Sequence, residues 1–379
     1  MQKLYWRPAH VSRIVHVLVA LIAVATLLSA ERFKVIHMQP HFEQKIKAAN
    51  RMQKGMDVIR THRVRNAASV DLDVDPTNSG MVGFAASSTT TNTGSLEAKR
   101  TTANPNWAAV VVDLLIRAGA ERGDLVAVGV SGSFPALNLA AFAAIETLDL
   151  EAISVASAGA SSWGANIPGL SWLDMERVLL QADLISRGSV AASLGGTRDR
   201  AIGMSGSGRR RLREAIERNG LVFIETKDEI ESIDRRMEIY AEHAGGRRIA
   251  AYINAGGSLV SMGPKSVKRI YKPGLILKPH PRALQIDSVI MRFLSDGVPV
   301  INLSKVLPLA EQYGLPIEPT DMRPVGEGGV FQKYEYSRPL LVGLLIFLLA
   351  TLYGLLKLEF GARIAELGGS RRRPVGPMI

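Results

Sequence analysis

Two serines stand where a predicted strand gives way to a predicted helix, in the run Gly129-Val130-Ser131-Gly132-Ser133-Phe134-Pro135. A hydroxyl presented at such a turn can serve as a nucleophile. Alternatively, it can join the free backbone amides of the helix start in holding an anion. The spacing departs from the Gly-x-Ser-x-Gly nucleophile elbow, because Ser133 occupies the place of the last glycine. Nucleophile, anion contact, and helix capping with close packing are therefore all open to Ser131 and Ser133.

A serine nucleophile needs a base. Of the seven histidines, His10, His16, His37, His41 and His62 precede the alternating part of the chain and His243 closes a predicted helix. That leaves His280, held between Pro279 and Pro281, with Lys99 and Lys278 as lysine alternatives. Helix-start amides would hold the oxyanion.

Candidate substrate contacts surround these groups. Ser87, Thr90, Arg100 and Asn106 belong to a hydroxyl- and amide-rich stretch that could bind carboxylates through its donors and cations; a surface loop with ordinary caps is the alternative. Asn138 follows the serine loop. Ser161 and Asn166 flank Trp163, which is either a flat wall or plain core. Gly256, Gly257 and Ser258 form a potential backbone nest for an anion.

Other chemistries find little support. The chain has no cysteine, which excludes disulfides, thiol nucleophiles and thiolate metal sites. No Walker pattern, no Gly-x-Gly-x-x-Gly after the first strand and no helix with paired histidines is present, so no cofactor or metal is expected. Asp71, Asp73, Asp75, Asn78 and Gly80 alternate as in a calcium loop, but no distal glutamate completes the spacing, and a turn is expected.

The elements that must position these groups alternate. Strands are expected at 80–85, 124–130, 152–157, 189–194, 221–224, 248–253 and 298–302, with 87–100 as a loop. Helices are expected at 106–118, 137–148, 171–185, 209–219, 227–243 and 305–313, with Ser171 and Asp174 in capping-box positions. Such alternation predicts an α/β fold with a mostly parallel, doubly wound sheet, whose loops at the carboxyl ends of the strands share one edge.

Three stretches, TTTNTGSLEAKRTTANPNWA, GDLVAVGVSGSFPALN and SAGASSWGANIPGLSWLDME, resemble the bacterial poly-gamma-glutamate system protein family, and the likeness extends over about residues 75–329. The resemblance implies a membrane accessory of poly-gamma-glutamate synthesis and export. It brings no assigned reaction and no site residues.

Apolar segments at 14–30 and 339–358 approach the ~20 residues needed to span a bilayer. Lys3, Arg7 and Arg13 precede the first, and Lys357, Arg363 and Arg371 to Arg373 follow the second, which places both termini in the cytoplasm and the middle outside. Arg32 and Lys34 argue the other way, and the arginine triplet outweighs them. The first segment also has the position of a cleaved signal peptide. Leu28, however, stands where a small residue is expected, and retention as an anchor is preferred.

The organisation expected is a cytoplasmic tail (1–13), a span (14–30), a juxtamembrane amphipathic helix with linker (31–75), an extracytoplasmic α/β domain (76–338), a span (339–358) and a basic tail (359–379) of a two-pass inner-membrane protein. Of the formal charge of +11, the two end segments hold 8 Lys and Arg against 2 acids, and region 31–338 holds 38 against 33. The positive charge of that region is clustered at Arg209 to Arg213, at Arg247 and Arg248, and at Lys265 to Lys272. Such runs are solvated helix faces or an anion-binding surface. The expected partners are poly-gamma-glutamate or another carboxylate-rich polymer, the membrane subunits of its synthase and the lipid bilayer; an external location argues against nucleic acid.

Overall fold

The computed structural model describes residues 13–357. The expected tails 1–13 and 359–379 lie, apart from Arg13, outside the described residues, as does residue 358. The chain begins with α1 (Arg13–Arg32), β1 (Lys34–Met38) and α2 (Phe42–Asn66), and a linker leads to β2 (Thr90–Asn92), α3 (Leu96–Thr102) and α4 (Trp107–Arg117). An alternating part follows: β3 (Leu125–Ser131), α5 (Pro135–Thr147), β4 (Glu151–Ser157), β5 (Ala160–Ser161), α6 (Trp172–Gln181), β6 (Ser189–Ser193), α7 (Gly206–Arg218), β7 (Val222–Phe223), α8 (Glu229–Ala244) and β8 (Ile249–Asn254). The remainder comprises α9 (Leu259–Met262), α10 (Lys265–Lys268), β9 (Gly274–Ile276), α11 (Val289–Ser295), β10 (Val300–Asn302), α12 (Val306–Tyr313), β11 (Gln332–Tyr336) and α13 (Arg338–Lys357).

The fold is mixed α/β around a mostly parallel seven-stranded sheet of order β7-β6-β4-β3-β8-β10-β9, in which β9 runs antiparallel to β10. Its centre is β3, buried along nearly all its length as the continuous apolar run Leu125-Val126-Ala127-Val128 requires. Alternate residues face opposite ways. Val126, Val128 and Val130 enter a core with α2, α4 and α5, while Leu125 and Ala127 enter a second core with α8 and α11. Helices thus cover both faces.

Two compact units divide the chain: the terminal segments up to Met38 and from Lys333, and the body from Gln39 to Gln332. In the terminal unit α1 packs on α13 and β1 pairs with β11. By length and composition both helices could cross a membrane, with mean hydropathy of 1.7 over Val15–Arg32 and 1.9 over Arg338–Leu355. Their apolar side chains stand out of the protein, Leu21, Leu28 and Ile346 being 61%, 63% and 62% exposed.

The basic helix of the expected segment 31–75 packs within the body. Met52, Met56 and Ile59 of α2 are buried, and Gly55 lets it approach α5 so closely that an added Cβ would stand 2.8 Å from Leu139. Buried Lys45 secures it, donating to Asp113 of α4 at 2.9 Å and to the Val330 carbonyl at 3.1 Å. The acidic linker is a turn built on Asp75, whose carboxylate accepts from Thr77, Ser79 and the Gly80 amide.

Two expectations are corrected. Residues 80–85 form no strand, because their backbone groups are taken by Arg63, which donates to the Gly80 and Val82 carbonyls, and by Asn166, which bonds both polar groups of Phe84. The stretch 87–100 is not all loop: α3 begins within it, capped by Ser95 accepting from the Ala98 amide. The edge strand β9 and helix α11 were not expected. Both are short, and β9 has no alternation to betray it.

Candidate functional site

The sheet changes direction between β3 and β8. From β3 the chain progresses outward through β4, β6 and β7, then returns to place β8 on the other side of β3. Loops leaving two such strands diverge to opposite faces and open a crevice at their carboxyl ends. A cavity of about 520 Å³ lies there. Ser131, Ser133 and Phe134 form one wall, Gly256, Gly257 and Ser258 another, and Ser157, Ser161, the loop 91–95, the loop 196–198 and the side chains of Lys99, Arg236 and Lys268 complete it.

Its lining is cationic. Lys99, Arg198, Arg236 and Lys268 line the cavity with one carboxylate, Glu229, which stands 3.7 Å from Arg198, while Asp199 compensates Arg236 from behind the lining. Lys268 donates to the Gly257 carbonyl.

Lys99 is the most unusual of these groups. It is carried on the short helix α3, is 3% exposed, donates to the Ser133 carbonyl oxygen and places its ammonium 3.3 Å from the centre of the Phe134 ring. A carbonyl dipole and a ring face partly replace water, but among the described residues no carboxylate pairs with it. Burial accordingly pushes its pKa down to about 7. At neutral pH the amine is divided between its charged and free-base forms.

Arg236 is also buried and is settled differently. Its Nη2 donates to Asp199 at 2.9 Å, to Ser193 at 2.7 Å and to Ser157 at 3.2 Å, while Asp199 also accepts from Ser193 at 2.8 Å and Ser232 at 2.6 Å. Burial alone would lower the arginine pKa, and the Asp199 charge more than reverses this. The pair also holds a strained loop. Gly195, Gly196, Arg198, Asp199 and Ala201 all have positive φ, a conformation costing the three non-glycine residues roughly 1–3 kcal/mol each.

Two buried polar atoms on cavity-lining residues lack a hydrogen-bond partner: Ser131 Oγ and Arg236 Nε. Such groups normally have one. Ser131 lies beside Gly256, where an added Cβ would stand 3.1 Å from its Oγ.

The structure brings Ser131, Ser133, Lys99, Ser161, Gly256, Gly257 and Ser258 to this cavity. Ser133 Oγ accepts from the Ser161 amide at 3.1 Å, and so steadies two of its walls. Asn138 stands behind the loop, donating to the Ser131 carbonyl at 2.8 Å. The other expected residues are not among the lining. Ser87 donates to the Asn166 carbonyl, and Asn166 donates to Thr90, so these three fasten one loop to another. Arg100 ties down the linker through the Val74 and Asp73 carbonyls and Glu318. Asn106 bonds the Pro324 carbonyl and the Gly326 amide. His280 is exposed and caps a single turn, accepting from the Arg282 amide, and Lys278 is also exposed; neither accompanies the serines.

Arg236 and Arg198 were missed. Arg236 had a signal: it shares the inward stripe of α8 with Ile233, Ile239 and Tyr240, and a charge on a buried stripe needs a partner. Compared with models of known families, with curated proteins and with solved structures, the chain matches none.

Proposed function

We propose that this chain is a membrane-anchored accessory of poly-gamma-glutamate synthesis or export, whose body faces outward and binds the carboxylates of the polymer in the cavity between β3 and β8. The observation that carries this reading is the pairing of a cationic lining with a buried, partnerless hydroxyl, Ser131 Oγ. A carboxylate accepts from a hydroxyl and from cations alike, and the Lys99 amine gains the counter-charge it lacks. The likeness of the three sequence stretches supports the choice of polymer. The apolar surfaces of α1 and α13 suit lipid and the membrane subunits of a synthase, with both termini cytoplasmic.

A second reading, a gamma-glutamyl hydrolase or transferase, is favoured by one observation: an unbonded serine hydroxyl shares a cavity with a lysine whose pKa is about 7. Ser131 Oγ would attack the amide carbonyl carbon. Lys99 would take its proton and pass it to the departing amine as the C–N bond breaks, and water or an amine would then resolve the ester. Lys99 is, however, bonded to the Ser133 carbonyl and, among the described residues, to no serine hydroxyl. Binding without cleavage is the simpler outcome.

Full-length protein in lipid nanodiscs, incubated with poly-gamma-glutamate while binding and polymer length are followed together, separates the two. Salt-sensitive binding at constant length, weakened in Lys99→Met, is the expected result. Shortening abolished by Ser131→Ala would establish the enzyme, and absence of both effects would end both readings.

A further inference from the structure

The loop 195–201 has a second side. Gly196, Thr197 and Arg198 line the cavity just described, whereas Asp199 and Arg200 line a separate cleft of about 340 Å³, together with Arg209 and Arg213 of α7 and Phe223 of β7. We infer that this cleft is a second anion subsite, and that a carboxylate-rich polymer crosses the loop to occupy both at once.

Charge is the first reason. Three arginines enter the cleft against two carboxylates, and neither carboxylate is available to all of them. Asp199 is committed to Arg236, Ser193 and Ser232. Glu225 takes Arg213 at 2.9 Å and is itself largely exposed. Arg200 and Arg209 donate to the backbone carbonyls of Lys227 and Met204, and among the described residues neither is paired with a carboxylate. Each guanidinium retains donors for a planar anion.

Rigidity is the second. The Arg213 guanidinium carbon stands 4.4 Å from the centre of the Phe223 ring, and this contact together with Glu225 restrains its fork. The dividing loop is held by the Asp199 network and by the Ala201 amide donating to the Gly195 carbonyl at 2.7 Å. Consecutive residues of one fixed loop therefore face two cationic sites, and their separation is set by the fold. A ligand carrying a single anion gains nothing from this. A polymer repeating its charge gains the second contact at high effective concentration.

The inference rests on the polymer-binding reading of the first cavity, and oligomer length tells the two apart. Affinities of the full-length protein in zwitterionic nanodiscs are measured for a gamma-glutamyl trimer and for an oligomer of about 20 units. Expressed per three-unit register, so that the many equivalent positions of the longer chain are divided out, the longer ligand is expected to bind at least about tenfold tighter. In Arg200→Gln/Arg209→Gln that advantage shrinks to within about twofold, with trimer affinity unchanged; Arg209→Gln alone, which keeps the Arg200–Lys227 contact, removes part of it. Equal affinity for both lengths, or an advantage that survives the double variant, overturns the second subsite while leaving the first intact. A trimer that fails to bind while the long oligomer still loses affinity in the double variant refutes the first cavity and upholds the second. Polyphosphate showing the same length advantage, equally reduced in the double variant, overturns the assignment to carboxylates.

Discussion

Lys99 and Arg236 are both cations removed from water at the wall of one cavity, and the protein settles them in opposite ways. Arg236 is enclosed by Asp199 and two serines, and its charge is neutralised within the protein. Lys99 has a carbonyl oxygen and an aromatic face, and no counter-charge among the described residues. A buried pair is weak evidence of net stability, since good packing of apolar groups would often serve as well. A buried charge without a partner is a standing cost. Its retention points to a ligand, whereas the arginine pair points to a scaffold that keeps a strained loop in place.

The largest effect should come from breaking the settled side. Arg236→Met leaves Asp199 buried and uncompensated, and should lower stability by about 3–5 kcal/mol. Asp199→Asn/Arg236→Met removes both charges, and chemical denaturation should show it recovering at least about half of that loss. If the double variant is as unstable as the sum of the singles, the two groups act independently and the contrast with Lys99 fails.

The unsettled side should respond with the opposite sign. The Lys99 pKa falls from its ordinary 10.5 to about 7 on folding, so between these values the unfolded chain binds a proton that the folded chain does not. Stability therefore rises with pH through that window, and below pH 7 the full cost of up to about 5 kcal/mol is present. Lys99→Met should stabilise the protein by about 2–4 kcal/mol at pH 6, allowing for the lost carbonyl and ring contacts, and the gain should vanish above pH 10.5. Denaturation midpoints at pH 6, 8 and 10.5 check the trend, and a destabilised Lys99→Met at pH 6 would refute it.

A smaller effect sharpens the same contrast. A carboxylate arriving beside Lys99 favours the charged amine, so binding at pH 8 should take up about half a proton or more, and calorimetry in two buffers of different ionisation enthalpy measures it. Lys99→Met should abolish the uptake. Arg236, charged throughout, contributes none.

How far this site could be read in advance follows from where each residue finds its partners. Buried parallel strands announce themselves as apolar runs, so β3, β4, β6 and β8 were legible, and with them the shared edge that gathers Ser131, Ser161 and Gly256. Ser87, Thr90 and Asn166 stand away from that cavity for a definite reason. Irregular backbone must satisfy its own polar groups, and a loop rich in hydroxyls and amides spends them on itself. The partner of Arg236 lay beyond local reading, because Asp199 is 37 residues away in sequence and meets it through the fold alone.

The smallest expected effect concerns Ser131. Because its Oγ has no partner, Ser131→Ala removes no hydrogen bond, and stability should change by less than about 0.5 kcal/mol. Ser193→Ala is the informative control: Ser193 bonds both Asp199 and Arg236, and its loss should cost about 1–3 kcal/mol. Two serines on one sheet edge would then differ in stability and differ inversely in ligand affinity, with Ser131→Ala weakening oligomer binding and Ser193→Ala leaving it nearly intact once the protein is folded. Should Ser131→Ala prove as destabilising as Ser193→Ala, its hydroxyl already has a partner, and the buried donor on which the proposed site depends is not free to receive a ligand.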